Sequence, residues 1–95
     1  MEKQGYVYLM MNERNTVIYT GVTSDLKKRI YQHRSGIVEG FTGKYKVKKL
    51  VFYEPFDDIA TAIQREKQIK SGSRAKKLKL IETLNPEFRD IYEEL

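Results

Sequence analysis

The chain has 95 residues, is 40% hydrophobic and 33% charged, and carries a formal net charge of +5. This composition fits one folded domain, residues 1–95, with a core of modest size, and it argues against disorder. With no cysteine, disulfides and thiolate metal sites are excluded, and the longest apolar runs, such as "LVFY", are too short to span a membrane.

The opening stretch "MEKQGYVYLM" lacks the long apolar core of a signal peptide. Together with the missing cysteines, this gives a cytoplasmic location as the expectation. Residues 5–10, "GYVYLM", are β-branched and aromatic and predict a strand; residues 16–20, "TVIYT", predict a second. The short polar connector "MNERN" predicts an antiparallel hairpin. Strand alternation places Tyr6, Tyr8 and Met10 on one face and Val7 and Leu9 on the other. In the second strand Val17, Tyr19 and Gly21 share a face, opposite Ile18 and Thr20.

Thr23, Ser24 or Asp25 can cap a helix over about 25–34, with Leu26 and Ile30 as its apolar stripe. Arg29 and His33, four residues apart, form a second stripe beside it. "SGIVEGFTGKYKVKK" (35–49) reads as a loop ending in a basic run, and "LVFYE" (50–54) as a third strand stopped by Pro55. Asp57 or Asp58 then caps a helix whose inner face is Ile59, Ala62, Ile63, Glu66 and Ile69. "SGS" at 71–73 breaks it. A last helix presents Ala75, Leu78, Ile81 and Leu84 and closes before Asn85-Pro86. The order ββαβαα predicts an α+β fold: a small three-stranded antiparallel sheet with flanking helices.

Most of the 18 Lys and Arg residues fall in three clusters, 27–34, 44–49 and 65–79, and the closing stretch "PEFRDIYEEL" (86–95) is an acidic tail. A basic body points to a polyanion, nucleic acid first, and equally allows a solvated lysine-rich surface. Glu66 on an apolar stripe is costly, by roughly several kcal/mol, unless it is paired or bound to a metal; the plain alternative is a pair with Lys70 at the stripe's edge. Tyr8 and Tyr19 can be ordinary strand aromatics, yet Gly21 beside Tyr19 leaves room for an approach to the backbone.

Taken in order, these residues resemble the GIY-YIG nuclease domain in its compact single-domain form. "YVY" (6–8) stands where that family has its first motif and "YTG" (19–21) where it has its second, with Tyr8 and Tyr19 eleven residues apart. Arg29 and His33 match the family's arginine and its His or Tyr, Glu66 its metal-binding glutamate, and Asn85 its later asparagine. "GFTGKY" and "AIQREKQIK" also resemble stand-alone members, and the likeness runs from Tyr6 to about Tyr92. Tyr6 and Thr20 replace a glycine and an isoleucine of the motifs. Val22 stands where some relatives carry a lysine that helps ionise the catalytic tyrosine, so His33 or a water on the ion takes that task.

The resemblance implies a metal-dependent endonuclease that hydrolyses phosphodiester bonds, on DNA before RNA, in DNA repair or recombination. Tyr19 is then the general base, Arg29 the phosphate fork, and Tyr8 the group that orients water or phosphate. His33 relays a proton, Glu66 holds one weakly bound Mg2+ or Mn2+, and Asn85 braces Glu66 or the site wall. Lys28, Lys44, Lys46, Lys48, Lys67, Lys70, Arg74, Lys76 and Lys77 are the expected backbone-phosphate contacts. No reader of base edges is evident, so weakly selective or structure-selective cutting, or targeting by a protein partner, is expected. A nucleic-acid-binding module of the same fold with little catalytic power, and a partner-binding protein that never touches nucleic acid, are the competing readings.

Overall fold

The computed structural model describes residues 3–37 and 40–95. Val38 and Glu39 of the expected 35–49 loop, and Met1 and Glu2 of the opening stretch, lie outside the described residues. Strand β1 (Gly5–Met11) is the centre of a three-stranded sheet. It pairs antiparallel with β2 (Ile18–Thr23) on one side and β3 (Lys49–Phe56) on the other. The hairpin turn is tied by Asn12, whose side-chain oxygen accepts from the backbone N–H groups of Thr16 and Val17 at 2.8 and 2.9 Å.

The expected alternation along β1 holds, and each face has its own core. Val7, Leu9 and Met11 are buried with Val51, Phe52, Ala62, Ile69 and Ile81. Tyr8 and Met10 are buried on the opposite face with Leu26, Ile30, Val47 and Leu50. A register shift between Leu9 and Met10 makes Val51 the extra residue of a bulge, and both Val51 and Phe52 join the first core.

Helix α1 (Leu26–Arg34) covers the Tyr8 face. Of the three expected candidates, Asp25 caps it, by accepting from Lys28 N–H. Helix α3 (Ile59–Lys70), capped by Asp58, and helix α4 (Arg74–Glu82), capped by Ser73, cover the other face. The order ββαβαα is therefore the one expected, with a further four-residue helix, α2 (Phe41–Lys44), inside the segment read as loop.

Several expected boundaries and faces need correction. β2 begins at Ile18 and runs on to Thr23, because cross-strand pairing of Thr23 with Tyr6 and Val22 with Val7 carries it past Gly21. β3 does not stop at Pro55, which pairs opposite Tyr6 on an edge strand that needs no N–H there. Ile59, Ile63, Ala75 and Leu84 are exposed and do not belong to the inner faces of their segments. Ile59 and Ile63 lie in the opening turns of α3, and Leu84 follows the Thr83 cap, beyond the helix end.

The acidic 86–95 stretch docks on the Tyr8 face. Asp90 pairs with Arg34 of α1 and accepts from Leu50 N–H, while Ile91 N–H donates to Leu50 O at 2.8 Å. These bonds close part of the open edge of β3. Ile91, Tyr92 and Leu95 pack against the core beneath, and the Arg34 guanidinium lies over the Tyr92 ring.

Candidate functional site

The cluster is assembled by cross-strand geometry. Tyr8 and Gly21 are direct partners in the β1–β2 ladder, and a Cβ on Gly21 would lie 2.4 Å from the Tyr8 hydroxyl and ring. The room that Gly21 leaves is thus taken by Tyr8 itself. Laid across this glycine, the Tyr8 hydroxyl reaches α1 and stands 3.0 Å from His33 Nε2. His33 Nδ1 is in turn 2.9 Å from Thr42 Oγ1 on α2. Tyr8, His33 and Thr42 are all buried. Tyr19 borders them, its ring centroid 6.2 Å from Tyr8 and 5.5 Å from His33.

Burial above all pushes the Tyr8 phenol up to about 12; the Arg29 guanidinium pulls the other way, and Tyr19 adds to the rise. Burial first, and the Arg29 charge second, push His33 down to about 4. At neutral pH Tyr8 therefore keeps its proton and His33 is a neutral imidazole. The neutral imidazole has one acceptor nitrogen, so the retained phenol proton goes to His33 Nε2. Nδ1–H then donates to Thr42; the tautomer is assigned from this network. Arg29 is half-buried and also donates to Gln32 Oε1 at 3.3 Å.

This arrangement carries a pH signature. The folded His33 value lies below its ordinary 6.5, so the unfolded chain takes up the proton first as pH falls. The stability contributed is complete above about pH 6.5 and is lost as pH falls towards 4, by about 3 kcal/mol. Urea midpoints measured across that window are expected to fall in the wild type and to stay nearly level in His33→Gln. Equal falls in both would assign the acid loss to other groups.

Of the six expected catalytic residues, Tyr8, Tyr19, Arg29 and His33 come together. Glu66 stands on α3, the helix that packs on the other face of the sheet. The two faces meet at the free edge of β2, where a hollow of about 260 Å³ is lined by Ile18, Tyr19, Thr20, Phe41, Lys70 and Lys77. Glu66 lies one helical turn before Lys70, on the helix that supplies one wall of this hollow. It is half-buried, and no Glu66–Lys70 ion pair forms among the described residues.

Asn85 sits elsewhere. Its amide donates to Val51 O at 3.0 Å and Arg89 O at 2.8 Å and accepts from Arg89 N–H at 3.0 Å, pinning the turn after α4 to β3. The expected bridge to Glu66 is not among these bonds. Val22 faces the α3 side and packs on that core, away from Tyr19.

The expected phosphate contacts divide. Lys70 and Lys77 line the hollow beside Tyr19, and Lys44 lies on α2 with its Nζ 5.4 Å from the Tyr45 ring centre. Lys76 lines a separate cleft between α3 and α4. Lys46 and Lys48 line another near Asp90, where Arg34 and Glu13 also sit. Lys28 and Lys67 are exposed on α1 and α3, and Arg74 donates to Asn15 O at 2.9 Å.

Sequence reading missed Thr42, Phe41 and Tyr45. The "FTGKY" segment was legible as part of a likeness, but its four-residue helix contains Gly43 and is preceded by Gly40, and only the fold brings Thr42 to His33.

Glu66 is the carboxylate that would have to hold a divalent ion at this site. Among the described residues there is no group of three or more His, Cys, Asp or Glu side chains, and both His33 nitrogens are engaged. Glu54, Asp57, Asp90 and Glu94 are committed to Arg65, Lys3, Arg34 and Arg89. The half-buried Glu66 carboxylate would offer such an ion oxygen ligands, and water and substrate phosphate would have to complete the shell.

Comparison with known proteins places the chain in a family. The chain is 40% identical over 76 residues to the UPF0213 protein SSP2268 of Staphylococcus saprophyticus, covering 80% of this chain and 92% of that one. It is also 40% identical to a UPF0213 protein of Syntrophus aciditrophicus, covering 88% and 95%. The solution NMR structure of the UPF0213 protein BH0048 from Bacillus halodurans is similar with a TM-score of 0.58 and 29% identity, covering 90% of each chain. Residues 4–79 match the GIY-YIG catalytic domain, a nuclease family whose members act on nucleic acid and generally depend on a divalent metal. The chain carrying the Tyr8–His33–Thr42 relay belongs to that GIY-YIG family.

Proposed function

We propose that this protein is a metal-dependent endonuclease that hydrolyses phosphodiester bonds in DNA, with residues 1–95 acting as one nuclease domain. The observation that carries the reading is the buried chain from Tyr8 through His33 to Thr42, set against Tyr19 and Arg29. Cutting a phosphodiester needs an activated water, neutralised phosphoryl charge and help for the leaving oxygen.

Tyr19 takes the proton from water as general base. Arg29 grips the phosphoryl oxygens with its planar fork. Tyr8, held protonated with its O–H given to His33 Nε2, presents its oxygen to orient the attacking water, and Thr42 fixes the His33 imidazole in the tautomer that accepts from Tyr8. A divalent ion such as Mg2+ or Mn2+, held at Glu66, supplies neutralisation of phosphoryl charge and support for the leaving oxygen. Lys44, Lys70 and Lys77 hold backbone phosphates around the hollow. Asn85 supports the site wall only indirectly, through the backbone it pins. Recognition by phosphates, without reading of base edges, fits work in repair or recombination, where DNA shape marks the substrate.

Incubation with supercoiled plasmid, branched DNA and RNA, in Mg2+, Mn2+ or EDTA, tests this reading. Nicking of DNA with either ion and none in EDTA is the expected result. Salt-dependent binding without cleavage in any ion would support instead the binding module that the single carboxylate and the apolar Val22 favour. Binding insensitive to salt would remove nucleic acid as the partner.

A further inference from the structure

Two aromatic rings beside the site stand exposed to solvent. Phe41 and Tyr45 are 48% and 43% exposed, although they flank a short helix whose Thr42 is buried against His33. Their rings lie 4.8 Å apart between centroids, and Phe41 lies 6.1 Å from Tyr19. The three rings form a continuous row leading outward from the buried relay. Positive charge frames it: Lys44 lies over the Tyr45 ring, and Lys70 and Lys77 share the hollow with Phe41 and Tyr19.

An exposed aromatic row among lysines is the chemistry that binds single-stranded nucleic acid. Rings stack on the faces of bases without regard to sequence, while ammonium groups track the backbone. In an intact duplex those faces are occupied by neighbouring bases, so the row has nothing to take. We propose that Phe41 and Tyr45 are a stacking platform for an unpaired nucleobase on the strand entering the site, with Lys44, Lys70 and Lys77 on its flanking phosphates. The proposal rests on the nuclease reading and narrows its substrate to DNA with an unpaired segment next to the bond that is cut. The burial of Thr42 fixes the platform to the relay, so a base seated on Phe41 sets which phosphate faces Tyr19 and Arg29.

The test is equilibrium binding of a short fluorescent DNA oligonucleotide and of its duplex, with the ion withheld so that no strand is cut. Wild type, Phe41→Ala, Tyr45→Ala and Phe41→Trp are compared at one salt concentration, each with its thermal denaturation curve. Single-strand affinity is expected to fall about tenfold for each alanine variant, with duplex affinity changed less than about twofold, and Phe41→Trp is expected to bind like wild type. Equal losses for single strand and duplex, or no loss for either, would overturn the platform. Tyr45, which does not touch the relay, keeps the test decisive if Phe41→Ala is destabilised. Absence of binding by the wild type to both forms would instead strike the nuclease reading on which the platform stands.

Discussion

Gly21→Ala is expected to reduce cleavage by about a hundredfold or more while leaving the sheet assembled. The added Cβ would lie 2.4 Å from both the hydroxyl and the ring carbon that bears it on Tyr8. Gly21 is not among the positive-φ glycines, so its backbone accepts alanine and the whole effect comes from this collision. The Tyr8 ring is buried and cannot swing into solvent. It must shift along the sheet, which separates its hydroxyl from His33 Nε2 and from the Arg29 guanidinium. A displacement of about 1 Å at such a site is enough to lose ~10²-fold in rate. Overpacking of this kind also destabilises by about 1–3 kcal/mol. Cleavage rates and urea denaturation read the two effects separately; an alanine variant that cleaves like the wild type would show that the Tyr8 position does not matter to the chemistry.

Arg29→Ala is expected to remove activity with little change in stability. The guanidinium is half-buried and makes one side-chain hydrogen bond, to Gln32, so its deletion leaves few groups orphaned. Its charge, however, acts on both buried members of the relay: it pulls the Tyr8 value down and pushes the His33 value down. Removal therefore raises both and deprives the phosphoryl group of its fork. Loss of one preorganised donor of this kind typically lowers kcat by about 10²–10³. Arg29→Lys is expected to recover only part of this, since an ammonium cannot bridge two phosphoryl oxygens in a plane. The comparison of kcat with the thermal midpoint checks the claim, and a variant with unchanged kcat would refute it.

The parts of this molecule legible in its sequence are those set by short-range periodicity. Alternation in "GYVYLM" separated Tyr8 from Val7 and Leu9 correctly, because one residue of register exchanges the two faces. Asp25 and Asp58 cap the helices expected of them. The four-residue spacing of Arg29 and His33 also placed both on one stripe, though it could not show that His33 is buried and Arg29 only half so. What stayed hidden depends on pairing across the chain. β2 extends past Gly21 because β1 lies beside it, and β3 passes through Pro55 because its outer edge needs no donor there. Helix α2 has four residues, too few for any hydrophobic period, yet it delivers Thr42 to His33. Asn85 looked like a site residue by its position along the chain, but its whole amide is spent on the backbone of Val51 and Arg89. Glu66 remained ambiguous because helical spacing offered Lys70 as a partner, and only the folded arrangement leaves that pair unmade among the described residues.

The account stands or falls on Glu66 and the tyrosine cluster serving one centre across the free edge of β2. Crystals soaked in Mn2+ and measured for anomalous scattering test this most directly. The predicted result is a manganese peak on the Glu66 carboxylate, facing the hollow that Tyr19 lines. Manganese bound at other carboxylates, with Glu66 bare and turned away from Tyr19, would contradict it.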